Sequence, residues 1–390
     1  MKKLLVYSHD TYGLGNLRRM LSICQSLSHA IPDLSILLLS GSPMVQSFRL
    51  ADGLDYIKLP CLTRTEREGY AVKSLRLGIA EGIKLRSDLI LAAAANFQPD
   101  LFLVDKKPFG IKNELKASLE YLKETSPQLK VALILRDILD APESTVNVWK
   151  AHDYYEVIDS FYELVLVLGQ AEVFDPRSEY EFPNSIASKV SFCGYTRREP
   201  GNKSRAEVRQ ELGLTEQKQL VLVTLGGGED AFEFIATYLQ GVAQLPANHN
   251  IHSLIVTGPE MKEAERQALF QALQPGVTMM EFTNDLMSYL GAADAVVSMG
   301  GYNTICEILS LQKKAIVIPR VRPVQEQLIR AERMSQLGFF QFIHPDALTA
   351  ENLMQALQTE LKREPSPFPL INLNAHQAIA QWVSTLLFAT

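Results

Sequence analysis

The sequence predicts an α/β protein built from two tandem Rossmann-like, doubly wound domains that face a cleft. At 390 residues the chain exceeds the size at which one hydrophobic core stops growing. Short Leu, Val and Ile runs alternate with longer amphipathic stretches, which is typical of parallel strands joined by helices. A polar segment containing Pro200 and Gly201 separates two such series. We therefore predict domains at residues 1–198 and 199–366, and a C-terminal segment at 367–390 that packs back on the first domain.

Apolar runs predict the strands of the two sheets. Such runs lack polar alternation because helices cover both faces of a parallel sheet. The first domain is predicted to have strands at residues 4–8, 36–40, 56–59, 101–104, 131–135, 164–168 and 190–192. The second is predicted to have strands at residues 220–224, 253–256, 278–281, 295–298 and 315–318. Apolar residues at helical spacing in 375–387 predict a final helix.

Composition narrows the function classes. The formal net charge of −6 argues against general nucleic-acid binding, which needs an excess of basic side chains to neutralise phosphates. The sequence has no run of about 18 apolar residues that could span a bilayer. The apolar run after Lys3, about five residues long, is too short for a signal peptide, so a cytoplasmic protein is expected. The four cysteines lie far apart without zinc-site spacing, which predicts buried thiols and no metal site.

The loop after the first predicted strand contains Gly13 and Gly15 and leads into a helix. Glycines allow close approach of the backbone, and a helix N-terminus can bind an anion, so both glycines are candidate donor-binding residues. A tight turn without a ligand is the alternative. Arg18 occupies the third glycine position of a dinucleotide motif, and the second strand ends in Ser40 without an acid, so no nicotinamide cofactor is predicted.

Three successive glycines, Gly226, Gly227 and Gly228, follow the first strand of the second domain. Each glycine loses conformational entropy on folding, which favours a ligand-binding function for a loop that keeps three of them. The loop lacks the lysine and hydroxyl residue of a Walker phosphate loop. ATP hydrolysis of that type is therefore not predicted.

The most informative stretch is residues 281–338. A predicted strand ends shortly before Gly300 and Gly301, and the following helix has Asn303 and Thr304 in its first turn and Glu307 one turn farther on. Backbone amides at a helix N-terminus suit a diphosphate, and a carboxylate one turn away suits two ribose hydroxyls. This order predicts a nucleotide diphosphate site.

The motifs FTND, SMGGYNTICE and PVQEQ in this stretch resemble those of the family 28 glycosyltransferases and of a group of predicted bacterial glycosyltransferases close to them. The resemblance covers both halves of the chain. It implies the GT-B architecture and transfer of a sugar from a UDP sugar to an acceptor hydroxyl, with inversion at the anomeric carbon. It implies neither a cofactor nor a metal. The sequence does not identify the acceptor, and a lipid-linked molecule is among the options.

The resemblance also implies roles for single residues. Thr283 matches the residue whose backbone reads the uracil ring. Gly301, Asn303 and Thr304 match the diphosphate loop, and Glu307 matches the ribose carboxylate.

Two further sets of contacts follow from the same resemblance. Gln325, Glu326 and Gln327 fall around the paired glutamines that hold the donor sugar hydroxyls, although here an acid occupies part of the pair. Arg197 matches the basic residue that faces the diphosphate, with Arg198 as the alternative register.

One position departs from the family pattern. Related sequences have a histidine where this chain has Asn16, and an amide cannot accept a proton at neutral pH. The general base must then lie elsewhere, and the candidates at strand ends are His9, Asp105 and Asp137, with Asp10 beside the first of them. A strand-end aspartate also commonly caps a helix or binds loop amides, which is the structural alternative.

Residues 64–86 combine basic side chains with Leu and Ile. This pattern predicts a basic amphipathic helix for peripheral contact with an anionic membrane, and a solvated helix face is the alternative. Two other functions remain open. A non-hydrolysing UDP-sugar 2-epimerase would share the donor site, and the missing histidine at Asn16 allows a non-catalytic nucleotide-sugar-binding protein.

Overall fold

A computed structural model describes residues 1–10, 14–64, 69–364 and 370–388. The chain divides into two compact units. The first comprises Met1–Thr196 with Asn374–Thr390, and the second comprises Arg197–Leu373. Within the described ranges, no helix is long and apolar enough to cross a membrane.

The first unit alternates strands with helices through most of its length. Its elements are β1 (Lys2–Tyr7), α1 (Leu14–Ala30), β2 (Leu34–Ser40), β3 (Leu54–Lys58), β4 (Leu62–Arg64), β5 (Tyr70–Val72), α2 (Ile79–Phe97), β6 (Leu101–Asp105), α3 (Lys116–Thr125), β7 (Lys130–Arg136), α4 (Pro142–Ala151), α5 (Tyr154–Phe161), β8 (Leu164–Leu168), α6 (Pro176–Glu179), α7 (Asn184–Ala187) and β9 (Val190–Phe192).

Seven of these strands form one parallel sheet in the order β3-β2-β1-β6-β7-β8-β9. The central strands are buried on both faces, which is why their sequences are nearly continuous apolar runs. The direction of winding reverses between β1 and β6, so this pair is the topological switch point. Ligands of such sheets bind outside the carboxyl ends of the strands at that point.

The second unit repeats the same plan. Its elements are α8 (Arg205–Glu211), β10 (Gln219–Thr224), α9 (Phe232–Ala243), β11 (Ile251–Val256), α10 (Glu263–Gln271), β12 (Val277–Met280), α11 (Leu286–Ala292), β13 (Ala295–Ser298), α12 (Tyr302–Ser310), β14 (Ala315–Val317), α13 (Glu326–Gln336), β15 (Gln341–Phe342) and α14 (Ala350–Lys362). Its parallel sheet has the order β12-β11-β10-β13-β14-β15, with the switch point between β10 and β13.

The last helix, α15 (Ala375–Phe388), belongs to the first unit, where it packs on α1. Ser22 Oγ and His376 Nε2 lie 2.9 Å apart across this helix pair. The chain leaves the first unit and returns to it at adjacent points, because Thr196 and Asn374 form an isolated antiparallel bridge. The second unit is therefore an insertion between two segments of the first.

The predicted α/β class is confirmed, and each predicted strand overlaps an observed one. The four cysteines are free and buried, as predicted. The prediction of one basic helix over residues 64–86 is wrong. The described part of this segment contains the β4–β5 hairpin and a bend before α2 begins at Ile79, while residues 65–68 lie outside the described ranges. Gly78 interrupts the helical pattern because it serves as the N-cap of α2, where its amide donates to Glu81 Oε2 at 3.0 Å.

Candidate functional site

Two glycine-rich loops lie side by side in the second unit. Thr224 at the end of β10 pairs with Ser298 at the end of β13, so the loops that follow these strands start at neighbouring points on one sheet edge. The loop after β10 contains Gly226–Gly228, and the loop after β13 contains Gly300 and Gly301. This edge is the switch point of the second sheet, where a ligand is expected.

Packing accounts for much of the glycine content of the first of these loops. Gly226 and Gly228 have φ angles of 70° and 94°, which L side chains rarely adopt. A Cβ on Gly228 would lie 2.2 Å from the carbonyl oxygen of Thr257, and the amide of Glu260 donates to the carbonyl oxygen of Gly227 at 2.7 Å. The loop after β10 is thus pressed against the loop after β11. Backbone packing alone explains Gly228, without a ligand.

The loop after β13 leads into α12 in a form suited to an anion. Gly301 is the N-cap of α12, with φ −64° and ψ 141°, and as a glycine it has no side chain of its own to cap this end. A Cβ on Gly301 would meet nothing within 4 Å, whereas one on Gly300 would lie 3.0 Å from the carbonyl oxygen of Gln327. The first turn of the helix therefore begins beside open space, and its amides carry the positive end of the helix dipole.

An arginine contacts the first turn of α12, and it is Arg198 rather than the predicted Arg197. Its Nη2 donates to Asn303 Oδ1 at 2.9 Å, and its backbone amide donates to Ser310 Oγ at 2.9 Å. Arg197 is exposed, while Arg198 is half-buried. The structure therefore brings Asn303 together with Arg198, the residue of the alternative register.

A second arginine, Arg330 on α13, lies fully buried behind the same loop. Its Nη1 donates to the carbonyl oxygen of Gly300 at 2.8 Å, and its Nη2 lies 3.7 Å from Glu326 Oε2. The guanidinium also lies 5.7 Å from the ring centroid of Tyr302. Arg330 is not among the predicted site residues. The available signal was two charged residues, Glu326 and Arg330, at i,i+4 spacing on the helix face that also includes the buried Met334.

A third arginine links the loops after β14 and β10. Arg320 Nε lies 2.7 Å from Asp230 Oδ2, and the backbone amide of Arg320 donates to Gln327 Oε1 at 3.1 Å. Of the predicted sugar-binding residues, Gln325 is exposed at the start of α13. Gln327 is half-buried and holds the loop after β14, and Glu326 is buried beside Arg330. The acid of this trio therefore contributes to internal packing.

The remaining predicted donor-binding residues follow the carboxyl ends of strands β12 and β13. Thr283 follows β12, and its Oγ1 accepts a hydrogen bond from the amide of Asp285 at 3.1 Å. Thr304 and Glu307 are half-buried on α12. Glu307 lies four residues after Asn303, so both side chains project from one face of the helix.

In the first unit, the candidate base Asp105 is fully engaged. Arg19 Nη2 donates to Asp105 Oδ1 at 2.8 Å and to Oδ2 at 3.0 Å, and the amide of His9 donates to Oδ2 at 3.2 Å. The side chains of Arg19 and Asp105 are 2% and 0% exposed. These contacts fit the structural alternative for a strand-end aspartate, and the role of Asp105 as a base stays a prediction.

Asn16, where the resemblance to family 28 predicts a histidine, contacts the backbone directly after β1. Asn16 Nδ2 donates to the carbonyl oxygen of His9 at 2.7 Å, which fixes the backbone at the start of the loop. His9 is buried, and its ring makes an edge contact with that of Tyr7, with 6.3 Å between centroids. Gly15 is exposed in the first turn of α1, and Gly13 lies outside the described residues.

Two other strand-end aspartates are buried in hydrogen-bonded positions. Asp137 accepts from the Tyr195 hydroxyl at 3.2 Å and from the amide of Ile138 at 2.8 Å. Asp10 accepts from Ser40 Oγ at 2.7 Å and from a backbone amide of the next loop at 2.6 Å. Burial raises the pKa of Asp10 to about 6, against the lowering effect of these hydrogen bonds. The hydrogen bonds of Asp137 to the Tyr195 hydroxyl and to a loop amide fit the structural alternative for a strand-end aspartate.

The arginine nearest the end of the basic stretch is not available to a membrane. Arg86 is fully buried, and its Nε and Nη2 donate to the carboxylate of Glu114 at 2.5 and 2.7 Å. The exposed side chains of this region, basic and apolar, are those of Lys73, Leu75, Arg76, Leu77, Lys84, Leu85 and Leu89. Among the described parts of the chain, no group of three or more His, Cys, Asp or Glu side chains is placed to hold a metal ion.

Known proteins resemble part of the chain in sequence. Residues 220–383 match the model of the glycosyltransferase family 28 C-terminal domain. The UDP-N-acetylglucosamine--N-acetylmuramyl-(pentapeptide) pyrophosphoryl-undecaprenol N-acetylglucosamine transferase of Glaesserella parasuis is 28% identical over 137 residues, which cover 35% of this chain and 38% of that one. The enzyme of the same name from Fusobacterium nucleatum is 25% identical over 194 residues, covering 50% and 51%. An uncharacterised glycosyltransferase of Methanopyrus kandleri is 23% identical over 199 residues, covering 50% and 54%. The chain thus spans about half the length, or less, of these curated relatives.

Solved structures resemble the chain over nearly its whole length. MurG of Acinetobacter baumannii has a TM-score of 0.61 at 14% identity, covering 99% of this chain and 100% of that one. The UDP-N-acetylglucosamine 2-epimerase of Methanocaldococcus jannaschii has a TM-score of 0.67 at 13% identity, covering 98% and 99%. At such identities these matches show the fold alone. The GT-B architecture is confirmed, and so is the resemblance to family 28 over the second unit.

Proposed function

On the premise that residues 220–383 of this chain form a glycosyltransferase family 28 C-terminal domain, we propose that the protein transfers a sugar from a UDP sugar to an acceptor hydroxyl. The second unit binds the donor, and the first unit supplies the acceptor site. The names of the Glaesserella parasuis and Fusobacterium nucleatum relatives specify UDP-N-acetylglucosamine and an undecaprenol-linked acceptor. For this chain we propose a UDP sugar as the donor and a lipid-linked molecule as the acceptor, and we leave the sugar of each unspecified.

The observation that carries the proposal is the set of three arginines around the start of α12. Arg198 contacts Asn303 in the first turn, Arg330 contacts Gly300 directly before it, and Arg320 links the loops on either side of β13. The helix-terminal amides together with the Arg198 guanidinium suit an anion with more than one negative charge, while Arg330 and Arg320 hold the loops around them. A nucleoside diphosphate is such an anion.

The same geometry supports a mechanism for the leaving group. As the bond between the anomeric carbon and the diphosphate breaks, negative charge grows on the phosphate oxygens. The amides at the start of α12 and the guanidinium of Arg198 stabilise that charge in place. Glu307 accepts hydrogen bonds from the ribose hydroxyls, and the loop at Thr283 contacts the uracil ring. Gln325 and Gln327 are the nearest candidates for contacts to the donor sugar.

His9 is the base that we propose for the acceptor hydroxyl. Asp105 neutralises Arg19, and Asp137 is held by the Tyr195 hydroxyl, so both carboxylates contribute to packing. An imidazole can accept a proton near neutral pH. His9 lies at the carboxyl end of β1, at the switch point of its sheet.

We also propose peripheral contact of the first unit with the cytoplasmic face of a membrane. The surface around the start of α2 combines the exposed basic residues Lys73, Arg76 and Lys84 with exposed leucines such as Leu85 and Leu89. Such a surface supports attraction to anionic headgroups together with shallow apolar insertion. Co-sedimentation with vesicles containing anionic lipid, weakened by charge reversal at Lys84, is the expected result.

Donor binding is the first test of the function. We expect isothermal calorimetry to detect UDP binding and to detect no binding of ADP or GDP, and we expect Glu307→Gln to weaken it. Incubation with a panel of UDP sugars and polyprenyl-linked acceptors should then release UDP only when donor and acceptor are both present. Conversion of the donor sugar without an acceptor would identify a 2-epimerase, whose fold matches equally well. Tight donor binding without turnover on any acceptor would favour the non-catalytic alternative.

A further inference from the structure

The carbonyl group of Gly300 points into the protein. Its oxygen accepts a hydrogen bond from Arg330 Nη1 at 2.8 Å, and Arg330 is fully buried. The peptide that joins Gly300 to Gly301 is planar, and in a trans peptide the C=O and N–H bonds point in opposite directions. The N–H of Gly301 must therefore point away from the buried guanidinium. Gly301 borders open space, because a Cβ at this position would meet nothing within 4 Å.

We infer that Arg330 is a positioning residue that orients the N–H of Gly301 towards the diphosphate of the donor. The inference rests on the proposed function and adds a residue that the resemblance to family 28 did not supply. If the peptide flipped, a carbonyl oxygen would replace the N–H at the anion site and repel the phosphate. Arg330 prevents this by holding the carbonyl on the inner side.

The burial of Arg330 supports a role beyond filling space. Burying a charged group is costly unless it is paired and hydrogen-bonded, and a neutral donor could have satisfied one carbonyl oxygen. The guanidinium instead sits between the Gly300 carbonyl, the Glu326 carboxylate at 3.7 Å and the Tyr302 ring. Its planar, rigid fork of donors fixes several directions at once, which a lysine ammonium cannot do.

Two substitutions at Gly301 distinguish the effect of losing the N–H from the effect of adding a side chain to the loop. The φ angle of −64° suits proline, and a Cβ at this position meets nothing within 4 Å, so Gly301→Pro and Gly301→Ala should both fold. Gly300 lacks a Cβ, which relieves the steric restriction on a residue before proline. The proline variant removes the N–H, and the alanine variant keeps it. We expect Gly301→Pro to weaken UDP binding by about 10- to 100-fold more than Gly301→Ala does, because only the proline variant loses the N–H.

The second part of the test uses Arg330→Lys and Arg330→Met, with calorimetric binding of UDP, uridine and inorganic pyrophosphate. A role in orienting the loop predicts a loss of about tenfold or more for UDP and pyrophosphate, with uridine affinity unchanged. A purely structural role predicts that uridine and UDP lose affinity together. If neither Arg330 variant folds, the comparison of Gly301→Pro with Gly301→Ala still tests whether the N–H of residue 301 contacts the diphosphate.

Pyrophosphate distinguishes failure of the inference from failure of the proposed function. Wild-type protein that binds pyrophosphate but not UDP, with binding lost in Gly301→Pro, would sustain the inference and overturn the UDP-sugar function. UDP binding that is equal in Gly301→Pro and Gly301→Ala would overturn the inference and leave the function intact. Absence of binding by both ligands would overturn both.

Discussion

The ion pair between Arg19 and Asp105 yields a prediction that separates a structural role from a catalytic one. Asp105→Asn leaves the Arg19 guanidinium buried without a charge partner. Removing one partner of a buried ion pair typically costs about 3–5 kcal/mol. For a unit of about 200 residues each kcal/mol lowers Tm by about 2–4 °C. We therefore expect the first unit to melt about 6–20 °C lower in Asp105→Asn than in the wild type.

Differential scanning calorimetry measures this shift, and a double-mutant cycle with Arg19→Met isolates the pair. The double variant should be less destabilised than the sum of the single variants, because it leaves no unpaired buried charge. Asp88→Asn is the matched control. Its carboxylate pairs with Lys84 at 2.6 Å on an exposed helix face, so its loss should cost less than about 1 kcal/mol.

Activity completes the test at a temperature where all variants are folded. Loss of a general base typically lowers the rate by about 100- to 10,000-fold. A positioning role for Asp105 predicts a smaller loss, about tenfold or less, in Asp105→Asn at that temperature. An Asp105→Asn protein with wild-type Tm and no transferase activity would refute the structural assignment and make Asp105 the base.

Three further predictions concern single side chains. Gly300→Ala should lower the free energy of unfolding by about 1–3 kcal/mol, because its Cβ would lie 3.0 Å from a backbone oxygen. Gly301→Ala should change it by less than about 0.5 kcal/mol, and equal losses in urea denaturation would contradict this packing. Glu307→Gln should weaken UDP binding about tenfold or more and leave pyrophosphate binding unchanged, because an amide offers one acceptor oxygen where a carboxylate offers two. Calorimetry that finds the same loss for both ligands would exclude a ribose contact. The pKa of Asp10 is raised to about 6, so between about pH 4 and pH 6.5 the folded state binds more protons than the unfolded state. As the pH rises through this range, the free energy of unfolding of the wild type should therefore fall by about 3 kcal/mol relative to that of Asp10→Asn. Urea denaturation at several pH values measures this difference. A difference between the two proteins that does not change with pH would contradict burial as the cause.

The sheets were predictable because their strands are local patterns. The predicted strand at residues 164–168 coincides with β8, since five consecutive apolar residues between polar segments leave little freedom in its bounds. β15 was not predicted because Gln341–Phe342 is too short to show any periodicity. The β4–β5 hairpin was missed for a related reason. Its strands have three residues each, and their pairing depends on register with a partner rather than on hydrophobic alternation.

In the candidate site too, residues that are close in sequence were predictable and contacts between distant segments were not. Gly301, Asn303 and Glu307 lie within one loop and one helix, so their spacing in the sequence places them on a common face. Arg330 contacts this loop from a helix 30 residues farther along the chain, and Arg19 reaches Asp105 across 86 residues. These contacts depend on how helices pack against the sheet edge. Nothing in the local spacing predicts them.

The return of the chain to the first unit constrains the order of events during synthesis. The face of α1 that α15 covers belongs to the first unit, yet α15 follows the whole second unit in the chain. A ribosome must therefore make Arg197–Leu373 before that face can be buried. During this interval the nascent first unit exposes apolar surface that a chaperone can bind. Thr196 and Asn374 lie side by side in the bridge between the two segments of the first unit. A variant in which a short linker joins them in place of the second unit should therefore fold without this delay.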